Sequence, residues 1–157
     1  MDGHVDPAVA AVIVGDVKRL NRQIALASLA AVLSILVIAR LLPPDPRGYG
    51  THERLLLPPC TFRLVTHLPC PFCGMTTGFA HMARGEIVPA LQSNPGAPLF
   101  YAFTWLLFAA SLQALIRGTR VLPVWATGSA ALRVFLLVTA LLWVAHIGYV
   151  RVAGQGY

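Results

Sequence analysis

Residues 24–42 read IALASLAAVLSILVIARLL, an apolar run whose one charged side chain, Arg40, lies just before its end. An α-helix rises about 1.5 Å per residue, so this run covers roughly 28 Å, close to the hydrocarbon thickness of a bilayer. The PPDP at 43–46 ends such a helix, because proline has no N–H to donate to the preceding turn. The run therefore predicts a membrane-spanning helix.

Two further segments have the same apolar character. Residues 96–116 contain no charged side chain, and residues 129–150 contain only Arg133. The sequence therefore predicts an all-α membrane protein with three transmembrane helices, at about 24–42, 96–116 and 129–150, in a membrane domain that covers 24–157. Residues 1–23 are predicted to be an N-terminal lead with a short interfacial helix. This lead lacks the basic start of a signal peptide.

The composition agrees with a membrane setting. The chain of 157 residues is 57% hydrophobic and 11% charged, whereas soluble domains are roughly 25% charged. Its net charge of +6 comes from 12 Lys and Arg against 6 Asp and Glu. Most of the arginines lie singly between apolar runs, a pattern typical of membrane boundaries rather than of a nucleic-acid interface. We expect the partners to be the lipid bilayer and other membrane subunits or a second copy of the chain, with no nucleic acid.

The basic residues also bear on orientation. Lys18, Arg19 and Arg22 cluster just before the first span, and a leading cluster of this kind favours a cytoplasmic N-terminus. This orientation places the long loop at 43–95, which holds all three cysteines, on the opposite side of the membrane.

The loop at 43–95 is predicted to carry short amphipathic or interfacial helices. One helix is expected over 74–84 and a second near 86–92, with Gly85 between them because glycine commonly follows the last helical residue. Gly74 and Gly78 have the G-x-x-x-G spacing that lets two backbones approach closely. This spacing favours tight packing of the first short helix against a span.

The sequence LPCPFCGMTTGF at 68–79 places Cys70 and Cys73 at C-x-x-C spacing. One interpretation is a redox pair, because such cysteines at a helix start form a disulfide readily and the helix N-terminus favours a thiolate. The C-P-x-C form resembles the active-site pair of glutaredoxins. However, no strand pattern precedes Cys70, as the βαβ unit of those proteins would require.

A metal site is the second interpretation. C-P-x-C-G has the form of one zinc knuckle, and a structural zinc site needs four ligands. The nearest additional candidates complete a set of Cys60, His67, Cys70 and Cys73. His81 is a poor candidate, because it lies roughly 12 Å further along the predicted helix than Cys73.

The third interpretation is structural, and the sequence favours it. Cys70 and Cys73 then form a disulfide staple, or are small buried residues where a helix begins and where Cys73 or Thr76 caps it. A single C-x-x-C is weak evidence for chemistry. We therefore predict no catalytic residue, no cofactor and no metal, with zinc as the alternative.

The cysteine segment resembles domain-of-unknown-function family 2752, whose members are small bacterial integral membrane proteins. The family pattern is C-P-x-C-G-x-T-R, then a helix, a Gly-acidic pair and an Asn-Pro before the next span. The matching residues here are Cys70, Pro71, Cys73, Gly74, Thr76, Gly85, Glu86, Ala90, Asn94 and Pro95. Thr77 departs from the family arginine, for which Arg84 or Arg63 is the candidate substitute. The resemblance implies a bacterial membrane protein with no assigned reaction and no catalytic residues.

Polar side chains within the predicted spans have simple interpretations. Ser111 and Gln113 are expected to bond to a neighbouring helix. His146 lies between Trp143 and Tyr149 and is expected at the membrane interface, where such aromatic residues gather.

These observations predict a non-catalytic accessory or structural subunit of a larger membrane assembly. No nucleophile, base and orienting group stand together in the pattern of an active site. The alternative is a membrane thiol–disulfide oxidoreductase or a metal-binding protein that uses Cys70 and Cys73.

Overall fold

The structure is a computed structural model that describes residues 6–66, 68–121 and 129–152. Every regular element in these ranges is a helix. The elements are α1 (Pro7–Leu41), a 3-10 helix (Thr51–Leu55), α2 (Thr61–Thr66), α3 (Met75–Met82), α4 (Ile87–Ser93), α5 (Ala97–Arg117) and α6 (Ser129–Val152). The predicted all-α fold, with three long helices and short helices in the first loop, is confirmed.

Three helices of the described part are long and apolar enough to cross a membrane: Val12–Leu41, Ala97–Arg117 and Arg133–Val152. Their outward faces expose large apolar side chains such as Leu33, Leu106 and Leu137, each at least half exposed. The backbone N–H and C=O groups of a helix bond to one another, so these faces can contact lipid without leaving backbone polar groups unsatisfied. The chain is a multi-pass membrane protein.

In the described part of the lead, residues 6–23, the helix is not a separate short one, in contrast to the expectation. α1 is continuous from Pro7 to Leu41. Proline is favoured at a first helical position, and the single glycine inside the helix, Gly15, costs only about 1 kcal/mol relative to alanine. At about 1.5 Å per residue α1 is roughly 52 Å long, so an upright α1 extends well beyond one side of a bilayer core about 30 Å thick.

Small residues bring α1 and α5 together as an antiparallel pair. Ala25 and Ala114 are fully buried between the two helices with Val121. The hydroxyls of Ser28 and Ser111 lie 2.9 Å apart and form a hydrogen bond across the pair. A bond of this type contributes about 0.6 kcal/mol in a membrane protein. The prediction that Ser111 bonds to a neighbouring helix is confirmed.

The cysteine segment lies against the end of this pair where α1 finishes and α5 begins. α3 contacts α1, α4 and α5. The Arg84 guanidinium donates to the carbonyl oxygens of Ala39 and Arg40, at 3.3 and 3.1 Å. These carbonyls have no partner within α1, since they belong to its last turn. Arg84 thereby satisfies the end of the first span and ties α3 to it.

Gly78 allows α3 to approach α5 closely. A Cβ atom at Gly78 would overlap the Cβ of Ala97 and lie 3.4 Å from the carbonyl oxygen of Ala90. The tight packing that the Gly74–Gly78 spacing predicts is thus confirmed, and it places the start of α3 directly over the start of α5.

We expect Gly78→Ala to destabilise the protein by roughly 1–3 kcal/mol, because the added methyl group must push α3 away from Ala97. Gly148→Ala in α6 is the matched control: a Cβ there meets nothing within 4 Å, and alanine is the better helix former. Thermal unfolding of both variants in detergent, followed by circular dichroism, measures the difference. Equal midpoints for the two variants would contradict the close packing.

Candidate functional site at a three-cysteine cluster

Cys70 and Cys73 are the two ends of a tight turn. The Cys73 N–H donates to the Cys70 carbonyl at 3.0 Å, and Pro71 occupies the second position of this turn, where its restricted φ is favoured. Gly74 follows with φ +78° and is the N-cap residue of α3, which has no side-chain cap. The expectation that Cys73 or Thr76 caps this helix is therefore wrong. The turn places both thiols on one side of the helix start.

Gly74 is required by its surroundings as well as by its backbone angle. A Cβ atom there would overlap the carbonyl oxygen of Ser93 and lie 2.8 Å from the carbonyl oxygen of Gly48. The cysteine turn is therefore pressed directly against the backbone at the end of α4.

Asn94 joins the cysteine turn to the beginning of α5. Its side-chain Nδ2 donates to the carbonyl oxygens of Cys73, at 2.8 Å, and of Pro71, at 3.2 Å. Its Oδ1 accepts from the backbone N–H of Gly96 at 2.8 Å. Because Asn94 is 2% exposed, water cannot replace these bonds easily. One amide thus sets the position of the turn relative to the second span.

Cys60, the residue that precedes α2, lies beside the other two cysteines. Backbone N–H groups of Phe62 and Arg63, in the first turn of α2, hydrogen bond to its sulfur. The Sγ atoms of Cys60, Cys70 and Cys73 all lie within 4.8 Å of one another, and each cysteine is a free thiol. The structure thus places Cys60 beside Cys70 and Cys73, so that the three thiols form one cluster.

The thiols differ in their ionisation. Burial raises the pKa of Cys60, but hydrogen bonds from the Arg63 backbone and from the thiols of Cys70 and Cys73 outweigh it, so the pKa lies below its usual value. Burial is the main reason that the pKa of Cys70 is raised. Burial, with a hydrogen bond involving Cys70, raises the pKa of Cys73 to about 12. Of the three thiols, Cys60 is therefore the one that loses its proton most readily.

The three thiols line one wall of a cleft of about 750 Å³. Most of its surface is apolar, with Leu57, Leu64 and Phe72 among the lining residues. Its polar wall contains Tyr49, whose ring is stacked by the guanidinium of Arg63 at 3.2 Å. The cleft is therefore large enough for a small organic molecule and lies directly beside the sulfurs.

Ion pairs stiffen the polar wall of this cleft. Arg47 donates to both carboxylate oxygens of Asp45 at 3.0 Å and to Glu53 at 2.8 Å. The hydrogen bond from Arg47 is the main reason that the pKa of Asp45 lies below its usual value. Arg47 also lies 5.1 Å from the ring centre of Tyr49, so the loop between α1 and α2 presents an ordered surface to the thiols.

α6 contacts the cysteine segment through Trp143. The indole Nε1 donates to the carbonyl of Pro69 at 2.8 Å, and the ring of Phe62 packs on it edge to face at 6.4 Å. One turn further on, His146 is 1% exposed, and neither of its ring nitrogens has a hydrogen-bond partner in the part of the chain that the structure describes. His146 is thus buried within the protein, and its expected depth at the membrane interface stays a prediction.

Several predicted site residues have other surroundings. His67, the sequence candidate for a fourth metal ligand, lies outside the described residues. His81 is directed elsewhere, with its Nδ1 2.6 Å from the carboxylate of Glu86. Gly85 has φ +78° and follows the last turn of α3, as predicted. Thr76 is exposed and lines the cleft.

Thr77, where the family pattern has arginine, is completely buried. Its hydroxyl lies 2.8 Å from that of Thr51, which in turn accepts from the backbone N–H of Asp45 at 3.0 Å. Two small hydroxyls therefore hold the loop against α3 at this point. Arg84 and Arg63, the candidate substitutes, bind the end of α1 and stack on Tyr49 instead.

The sequence grouped Cys60 with Cys70 and Cys73 as candidate metal ligands, and the structure brings these three together. The sequence identified Asn94 as a motif residue and gave it no role. The signal for Asn94 was present in the Asn-Pro before an apolar run, because asparagine commonly bonds to backbone near a helix start. The long-range partners of that amide could not be read from its position.

The fold and the site define a multi-pass membrane protein with an extramembrane thiol cluster. Residues 60–108 match the model of the family described as "Protein of unknown function (DUF2752)". This match agrees with the motif in the sequence, and the matched segment includes the whole cluster, Asn94 and the first half of α5. No curated protein and no solved structure matches the chain.

We expect Asn94→Asp to loosen the cysteine turn, because aspartate keeps the acceptor for Gly96 but loses both donors to Pro71 and Cys73. Two such bonds contribute roughly 1–3 kcal/mol, so maleimide should label Cys73 about tenfold faster or more in reduced, chelator-treated protein. Gln92→Glu adds the same charge at an exposed position of α4 and is the control. Unchanged labelling in Asn94→Asp would contradict the role of this amide.

Proposed function

We propose that this membrane protein holds a zinc ion at Cys60, Cys70 and Cys73, and that it does so as a non-catalytic protein. The observation that supports the proposal is the approach of three Sγ atoms to within 4.8 Å of one another. Thiolates of a tetrahedral zinc site, with Zn–S bonds of about 2.3 Å, are separated by roughly 3.8 Å. The thiols therefore need to move only slightly to bind one ion.

The number and burial of the thiols favour a metal over a disulfide. A disulfide uses two sulfurs and gives no reason for the third to lie beside them. With its pKa raised to about 12, Cys73 is a poor nucleophile for disulfide exchange. A divalent cation changes this situation, because a coordinated thiol loses its proton outright. A cluster of three thiols with Cys73 buried thus suits a cation better than it suits thiol–disulfide exchange.

A thiol–disulfide oxidoreductase is the second candidate, and the lowered pKa of Cys60 favours it. In such a protein the Cys60 thiolate attacks a Cys70–Cys73 disulfide at Cys70. A Cys60–Cys70 disulfide forms, and Cys73 leaves as a thiolate. A dithiol of a partner protein would then reduce the new disulfide and be oxidised itself. This candidate predicts a stable disulfide in the purified protein, whereas the zinc site requires free thiols.

We expect the purified protein to contain one zinc ion per chain, measured by elemental analysis together with a count of free thiols after denaturation in chelator. Replacing any of the three ligands by serine should weaken zinc binding by more than about 100-fold, beyond the 10–100-fold typical of a lost supporting bond. Thr61→Ser, beside Cys60, is the control. Zinc-free protein with a disulfide would support the second candidate and contradict the first.

We further propose that the protein is an accessory subunit of a larger assembly in the bacterial cell membrane, with a cytoplasmic N-terminus. The exposed apolar faces of the three spans leave room for neighbouring subunits or a second copy beside lipid. The 12 Lys and Arg residues divide evenly between the two ends of the spans, so the orientation is supported by the cluster of Lys18, Arg19 and Arg22 just before the first span.

We expect purification in a mild detergent to yield a stoichiometric protein partner or a defined homo-oligomer. Size-exclusion chromatography with light scattering and mass spectrometry makes the measurement. A monodisperse monomer without a second protein would contradict the accessory role while leaving the zinc proposal intact.

A further inference from the structure

The thiol cluster lies at the surface of a cavity. All three cysteines belong to the lining of the same 750 Å³ cleft. An ion held by these three residues would therefore lie beside the cleft.

The three ligands that the described residues bring together leave a tetrahedral ion one ligand short. In proteins, structural zinc sites are closed by a fourth protein ligand, whereas sites with three protein ligands keep a position for an exchangeable molecule. The donor group that the structure brings together consists of the three sulfurs, and it includes no fourth donor from the described residues. His52 and Glu53 also line the cleft. Neither belongs to the group of donor atoms that lie within 4.8 Å of one another, and the Glu53 carboxylate is already bound to Arg47 at 2.8 Å.

We propose that the metal bound by Cys60, Cys70 and Cys73 takes its fourth ligand from the cleft, and that this ligand is a small organic thiol. The inference rests on the proposed zinc site and adds the class of molecule that the site binds. The thiol binds as a thiolate: its sulfur forms the fourth bond to the metal, its proton passes to solvent, and the solvent molecule at that position leaves.

The walls of the cleft favour an organic ligand over water. Leu57, Pro59 and Phe72 contribute apolar surface beside the sulfurs, and concave, largely apolar sites bind carbon-bearing ligands well. A soft sulfur donor also matches a metal that already has sulfur ligands. The same cleft thus supplies both the coordination position and the surface that holds the rest of the thiol.

The test uses the full-length protein in detergent, loaded with Co²⁺ as a coloured substitute for Zn²⁺. 2-Mercaptoethanol is the probe, and ethylene glycol, which lacks the sulfur, is the control molecule. We expect the thiol to increase the sulfur-to-cobalt charge-transfer absorbance in a saturable way, and ethylene glycol to leave it unchanged. Leu57→Trp, which fills the cleft, should weaken thiol binding by at least about tenfold while Co²⁺ is retained. Val65→Trp, at an exposed position of α2 outside the lining, should not.

The other outcomes separate the two proposals. A Co²⁺ spectrum that does not respond to the thiol overturns this inference but leaves the metal site standing. If His67→Ala then makes the spectrum respond, His67 is the fourth ligand and the site is closed. Removal of Co²⁺ from the protein by the thiol also overturns the inference. Failure to bind Co²⁺ or Zn²⁺ at all overturns both proposals.

Discussion

The hydrogen bonds of the Asn94 side chain hold the cysteine turn to the beginning of the second span. The amide binds two carbonyls of the turn and one N–H of the α5 start, and the absence of a side chain at Gly74 lets the turn touch the backbone of Ser93. An extramembrane loop would otherwise be mobile, since loops have few buried contacts. The start of a membrane helix, α5, therefore fixes the position of Cys70 and Cys73, and such a helix is a rigid support for a binding site.

The third thiol depends on a second set of contacts. Cys60 precedes α2, and α2 meets α6 through the packing of Phe62 on Trp143. Trp143 also binds Pro69, next to the turn. The turn is thus held through Asn94 at the start of α5 and through Trp143 of α6, and Trp143 also contacts α2. Contacts with two spans therefore fix the position of the cluster.

The sequence predicted the elements better than it predicted their contacts. The spans were evident because an apolar run of about 20 residues with at most one charged side chain is typical of a membrane helix. Gly85 and Asn94-Pro95 marked helix boundaries through local backbone preferences. The partners of Asn94, the burial of Thr77 against Thr51 and the approach of Cys60 all join residues distant in the chain. No periodicity or spacing reports such contacts. The C-x-x-C spacing alone therefore favoured a structural role for Cys70 and Cys73, whereas the folded loop places Cys60 beside them.

The central claim is that three cysteines form one metal site, and zinc K-edge X-ray absorption on the zinc-loaded protein tests it most directly. The account predicts a shell of at least three sulfur atoms at about 2.3 Å from the metal, and a loss of sulfur from this shell in Cys60→Ser. A shell of nitrogen and oxygen alone, or two sulfurs with no change in Cys60→Ser, would contradict it.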